Sequence, residues 1–115
     1  MRVLALWYPE GDISAPTQET MQKMGAFIEE AAKAGVLLDT GGWDPQAPAT
    51  VITRKQGKVA VKDGPYTEAK EIIGGFAVMR FGSQTELVDW STRFVEIAGD
   101  GHSVVRPIAD HPMGH

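Results

Sequence analysis

Two long segments of this chain repeat their apolar residues at helical spacing, and each has only one apolar stripe. In the first, Met21, Met24, Ile28, Ala31 and Ala32 recur at three- and four-residue steps, while Gln18, Gln22, Lys23, Glu29, Glu30 and Lys33 fill the opposite side. The spacing predicts a helix over residues 17–34, stopped by Gly35. In the second, Leu87, Trp90, Phe94, Ile97 and Ala98 are spaced alike; Ser83 and Glu86 make a capping box ahead of them, and Gly99 stands where a glycine cap ends a helix. A helix with one stripe covers one surface. Any sheet these two cover therefore keeps a second face that they cannot reach.

The rest of the chain reads as strands. Residues 2–8 are a short apolar run closed by Pro9 and Gly11, residues 36–40 resume an apolar run and end at Gly41-Gly42, and residues 76–81 and 102–107 form two more. The β-branched runs 50–54 and 58–61, separated by Lys55-Gln56-Gly57, read as a hairpin in which Gly57 supplies a positive φ. Asp63-Gly64-Pro65 reads as a break, with at most one or two helical turns over 66–73. With the hairpin set aside, the order is βαβ followed by βαβ. This is the α+β, ferredoxin-like split arrangement with both helices on one face of an antiparallel sheet and a β-hairpin inserted. The helix-free face needs cover, and a second copy of the chain is its simplest source, so a homodimer is expected.

Composition narrows the partners. At 115 residues and 43% hydrophobic content the chain has material for one core, expected over residues 1–109, followed by a polar tail over 110–115. Fifteen acidic against eleven basic side chains give a net charge of −4, the wrong sign for a nucleic-acid partner. The absence of cysteine removes disulfides and thiolate chemistry. No apolar run approaches the ~20 residues that span a bilayer, and Pro9, Glu10, Gly11 and Asp12 follow the first apolar run too closely for a signal peptide, so a cytoplasmic location is expected.

The run Asp63-Gly64-Pro65-Tyr66-Thr67-Glu68-Ala69-Lys70-Glu71, followed by Gly74-Gly75-Phe76 and closed by Val104-Val105-Arg106-Pro107, resembles the DGPF subgroup of the YCII-related family. The likeness extends to the opening strand and to the Ala34-Gly35-Val36 junction, over nearly the full chain. It implies ferredoxin-like domains paired into dimeric α/β barrels, similar to muconolactone isomerases, with ligands between the helix-free sheet face and the loops. The family contains a few members acting on chlorinated or hydroxylated aromatics. One branch carries a histidine near the start of the first helix, paired with an aspartate. Here residues 17–34 contain no histidine, and His102, His111 and His115 all lie near the C-terminal end.

Candidate chemistry concentrates in a few side chains. Asp63, Tyr66, Glu68 and Lys70 crowd one segment, where two carboxylates, a phenol and an amine suit proton transfer; Asp63 equally suits a structural turn, and Glu68 and Lys70 a solvated surface. Alternation places Phe76, Val78 and Arg80 on the strand face opposite to Ala77, Met79 and Phe81, so Arg80 is expected on the helix-free side as a carboxylate clamp or as an ion-pair partner across a dimer. Arg106 is a second cation, with His102 four residues before it on the same face, either as acid or base or as an idle exposed histidine. Trp7, Tyr8, Trp43 and Tyr66 suit the walls of a pocket for a planar ligand, with Tyr8 and Trp43 as ligand contacts, and Trp90 suits the core.

No metal site is expected, because closed sites need three or four ordered ligands and His111 and His115 sit in the tail. No cofactor is expected either, since no Gly-x-Gly-x-x-Gly, phosphate loop or His-Glu-x-x-His is present. Two functions stay open: a cofactor-free isomerase, lyase or dehydrochlorinase acting on a small acidic or phenolic compound in a dimer cleft, and a non-catalytic ligand sensor or protein-interaction module.

Overall fold

The structure is a computed structural model that describes residues 1–10, 16–42, 49–64 and 73–109, the side chains of 63 and 64 excepted. Its elements are β1 (Arg2–Pro9), α1 (Gln18–Lys33), β2 (Leu37–Gly42), β3 (Ala49–Lys55), β4 (Lys58–Gly64), β5 (Gly75–Arg80), α2 (Gln84–Ala98) and β6 (Gly101–Pro107). Four strands form an antiparallel sheet in the order β2-β5-β1-β6, and β3 with β4 forms a separate two-stranded antiparallel sheet. Two helices over such a sheet make a mixed α+β arrangement compatible with a ferredoxin-like fold.

The helix ends follow from backbone chemistry. Thr17 caps α1 by accepting a hydrogen bond from the Thr20 N–H at 3.1 Å. At the other end the Val36 N–H bonds the Ala31 carbonyl and the Gly35 N–H bonds the Ala32 carbonyl, the paired bonds of a Schellman cap, with Gly35 at φ 76°. That cap turns the chain straight into β2 and buries Val36 against the core. Ser83 Oγ accepts from the Glu86 N–H at 3.2 Å, as a capping box requires, while the Glu86 carboxylate accepts from the Gly82 N–H at 2.7 Å, one residue ahead of the expected donor.

Val3 and Phe81, both essentially inaccessible, anchor the core with Val36, and Met79, Leu87, Trp90 and Val105 pack around them. Phe27 completes the helix layer: its ring lies 5.8 Å from Trp90 and 6.5 Å from Phe94, and the Arg93 guanidinium covers both Trp90 and Phe27. The inward stripe of α1 therefore runs through Met24, Phe27, Ile28 and Ala31, whereas Met21 and Ala32, expected on it, are exposed. Trp7 corrects a second expectation. It meets Phe94 edge-on at 5.3 Å and belongs to the helix layer, not to a pocket wall.

The hairpin turns where the sequence reading expects, with Gly57 at positive φ, and its open end runs further. Gln56 and Gly57 both have positive φ, at 52° and 79°, as a two-residue type I′ turn demands. β4 then runs on through Asp63 and Gly64, where a break is expected, because pairing with Thr50 and Ala49 extends the ladder. β2 likewise continues through Gly41 and Gly42: the Phe76 ring lies so close to Gly41 that a Cβ there would sit 2.8 Å from it. The two-stranded ribbon is thinly covered, with Ile52 and its partner Val61 both about two-thirds exposed.

Truncation at the anchor is expected to be costly: Phe81→Ala should lose roughly 3–5 kcal/mol in urea unfolding, and Gly35→Ala about 1 kcal/mol, since an alanine is forced into the left-handed region. Glu30 gives a pH-dependent check. Its carboxylate lies 2.7 Å from Arg93, and that hydrogen bond holds the Glu30 pKa below the usual glutamate range. A carboxylate lowered in the folded state stabilises fully above the ordinary glutamate range and loses that contribution as pH falls through its folded value. Arg93→Met should return Glu30 to ordinary titration by NMR and flatten the acid limb of the stability profile.

Candidate functional site

The pleat of β1 decides which side chains reach the second face of the sheet. Val3 and Ala5 are buried toward the helices, so Arg2, Leu4, Leu6 and Tyr8 point the other way. Register carries the same face across the neighbours: Arg2 stands opposite Arg80, Leu4 between Val78 and Arg106, Leu6 between Phe76 and Val104, and Tyr8 opposite His102. Asp39 of β2 joins the row of Val78. The whole molecule is 19 Å thick along its thinnest axis, room for one helix layer on one sheet layer. No described element lies on this face, and Leu4 in its middle is 37% exposed.

The face is polarised along β1. One end gathers three exposed guanidinium groups, with Arg2 directly opposite Arg80 and Arg106 on the diagonal. Among the described residues none of the three makes an ion pair, whereas Lys23, Lys33 and Arg93 of the helices are each paired with a glutamate. The Asp39 carboxylate accepts from the Thr40 N–H at 2.9 Å, and Thr40 Oγ1 donates to the Phe76 carbonyl at 2.8 Å, ties that hold the β2 edge. At the far end the Tyr8 and His102 rings stack with centroids 5.0 Å apart and planes 14° from parallel. Between the ends lies an apolar floor of Leu4, Leu6, Phe76, Val78 and Val104.

Alternation thus places Arg80 and Arg106 where the sequence reading expects them, and sets Tyr8 beside His102. It does not bring all four together. Arg2 and Tyr8 are six residues apart on one strand, on the order of 20 Å at 3.3 Å per residue, so Arg80 and His102 cannot hold one small ligand within a single copy. Trp43, Tyr66, Glu68 and Lys70 lie outside the described residues, and of Asp63 only the backbone, paired with Thr50, is described. Arg2 is the residue of this candidate site that sequence reasoning misses. Its signal is present in the pleat of residues 2–8, but only the register between β1 and β5 shows that it faces Arg80.

The arginine end suits an anion: guanidinium groups offer paired donors to a carboxylate, and the apolar floor beside them suits the hydrocarbon part of an organic acid. Two surface grooves lie elsewhere, one between the helices beside Glu19, Lys23, Arg93 and Glu96, the other between α2 and β6 beside Val88, Thr92 and Ser103. Among the described residues no three histidine, aspartate or glutamate side chains converge as a metal site would need, and no helix is long and apolar enough to cross a membrane.

Comparison with known proteins bears on the whole chain. An uncharacterized protein of Rhizobium meliloti (strain 1021) is 26% identical over 113 residues, covering 97% of this chain and 87% of the relative. The family model of the YCII-related domain matches residues 1–110, so the helix-free face with its arginine and histidine ends lies within that match and the chain belongs to the YCII-related domain family.

Proposed function

We propose that this chain binds a small organic acid or phenol on the helix-free face of its sheet, between two copies of itself. The observation that carries this reading is the cluster of Arg2, Arg80 and Arg106, exposed and without an ion-pair partner among the described residues, beside an apolar floor on which no described element lies. A sheet with an apolar face that no described element covers suits a second sheet, and the pair so formed is the dimeric α/β barrel implied by the resemblance. In that setting β3 and β4 are an insertion into a ferredoxin-like unit, and the Asp63-Gly64-Pro65-Tyr66 run supports placing the chain in the DGPF branch.

The chemistry open to such a site is proton transfer without a cofactor, as in an isomerase, lyase or dehydrochlorinase, with His102 as acid or base and Asp63, Tyr66 and Glu68 as further candidates. A second reading, ligand binding without turnover, draws on the separation of Arg80 from His102 within one copy.

Benzoate and phenol are the probes. At about 100 times its dissociation constant a bound probe should stabilise the protein by roughly 2.7 kcal/mol in thermal unfolding, and Arg80→Ala should abolish the benzoate effect while the melting transition stays cooperative. Unchanged benzoate binding by Arg80→Ala sinks the anion assignment. Sedimentation equilibrium at micromolar concentration should give the mass of a dimer.

A further inference from the structure

The two ends of β1 carry opposite charge, and each end sets like charges against each other. At one end Arg2 faces Arg80, with Arg106 beside them and one carboxylate, Asp39 of β2, a row further in and bonded to the Thr40 N–H, so the end keeps a positive excess. At the other, Pro9 pairs with Gly101 and the Glu10 N–H bonds the Asp100 carbonyl at 3.1 Å, so the ladder continues one step and places two acidic residues across from each other. The three arginines, Glu10 and Asp100 are all exposed, and none makes an ion pair among the described residues. Like charges opposite each other on neighbouring strands are destabilising. The ends are eight residues apart, roughly 26 Å of strand, several times the ~8 Å screening length at physiological salt, so neither relieves the other.

From this polarity we infer that two copies stack their helix-free faces with strand directions reversed, so that the arginine end of each sheet meets the acidic end of its partner. The inference rests on the sheet-face dimer proposed above and adds its direction. Two sheets stacked face to face about a two-fold axis have two simple choices, because the axis lies in the plane between them. An axis parallel to β1 sets Arg2 over Arg2 and crowds every guanidinium of both arginine clusters together at one end, with the acidic pairs facing each other at the other. An axis perpendicular to β1 keeps each strand over its own copy but reverses it. Arg2 then lies over Glu10 of the partner subunit, and the apolar rows in the middle still cover each other.

The reversed stack also completes the site. Arg106 and His102 both lie on β6, four residues apart, and reversal of β6 about the row of Leu6 carries His102 of the partner subunit over Arg106. Arg106 of one protomer thereby meets the stacked Tyr8 and His102 rings of the other, joining two groups that a single copy holds four residues, about 13 Å, apart along β6. Two equivalent sites result. Neither is complete without the partner.

Charge reversal tests the direction. Arg2→Glu/Arg80→Glu makes both ends acidic, and Glu10→Lys/Asp100→Lys makes both basic. Each double variant should weaken its own dimer by about tenfold or more, and an equimolar mixture should associate within about threefold of the wild type, since the reversed stack pairs every altered end with an opposite one. Recovery in the mixture also shows that both variants fold. Wild-type association should weaken as salt rises. A wild-type dimer that tightens with salt, or an Arg2→Glu/Arg80→Glu dimer as tight as the wild type, overturns the reversed stack and leaves the sheet-face dimer standing. A wild type monomeric at micromolar concentration overturns both.

Because the chain has no cysteine, a short bis-maleimide gives a second readout. Arg2→Cys mixed with Glu10→Cys should form the linked heterodimer. Linkage of Arg2→Cys to itself in place of the heterodimer overturns the reversed stack.

Discussion

β1 is hydrogen-bonded along both edges, and its pleat is the constraint on which the rest of the molecule depends. Val3 and Ala5 must be buried, because Val3 with Phe81 and Val36 forms the small anchor against which Leu87 and Trp90 of α2 pack. With period two that requirement leaves Arg2, Leu4, Leu6 and Tyr8 on the other side. A slip of one residue against β5 would drive Arg2 and Leu4 toward the helices and expel Val3. The same interaction that holds the core thus fixes the makeup of the candidate site.

The apolar residues are spread thinly for a chain of this composition. Few side chains are fully buried, while Leu4, Leu38, Ile52, Val59 and Val61 stay exposed. Two of these surfaces have different physical standing. The ribbon of β3 and β4 is a two-stranded sheet with a tight turn, of a kind marginally stable in isolation. The helix-free face of the main sheet lies over the packed core and carries aligned charges at its ends. Of the two, only the second rests on packed side chains, and a surface already ordered binds without the cost of ordering it.

Local chemistry made much of the fold legible in the sequence. Ser83 with Glu86 and Gly35 after Ala34 mark helix ends because capping is satisfied within a few residues, and those ends stand where they were expected. Alternation was enough to place Arg80 and Arg106 on the free face. What needed the structure depends on contacts between distant segments. Phe27 belongs to the core only because Trp90 and Phe94 come to meet it, Trp7 turns inward for the same reason, and Gly41 continues β2 because Phe76 packs over it. Arg2 faces Arg80 only through the register of β1 with β5, and the separation of Arg80 from His102 follows from the same register along β1.

A net charge of −4 tells little about binding until its placement is known. The helices neutralise much of theirs internally, with Lys23 on Glu19, Lys33 on Glu29 and Arg93 on Glu30. Along β1 the sheet does not: its arginines gather at one end and Glu10 with Asp100 at the other, beyond each other's screened reach, with Asp39 of β2 the acidic side chain nearest the arginines on that face. Exposed pairs such as those on the helices contribute little to stability, because water and salt screen them. Charges sorted in this way contribute less still to the isolated fold, and against a second surface such charges set orientation more than affinity. The apolar rows of Leu4, Leu6, Phe76 and Val104 supply a driving force without direction, and the sorted ends supply direction without much force. An association that uses both is specific in a way neither achieves alone.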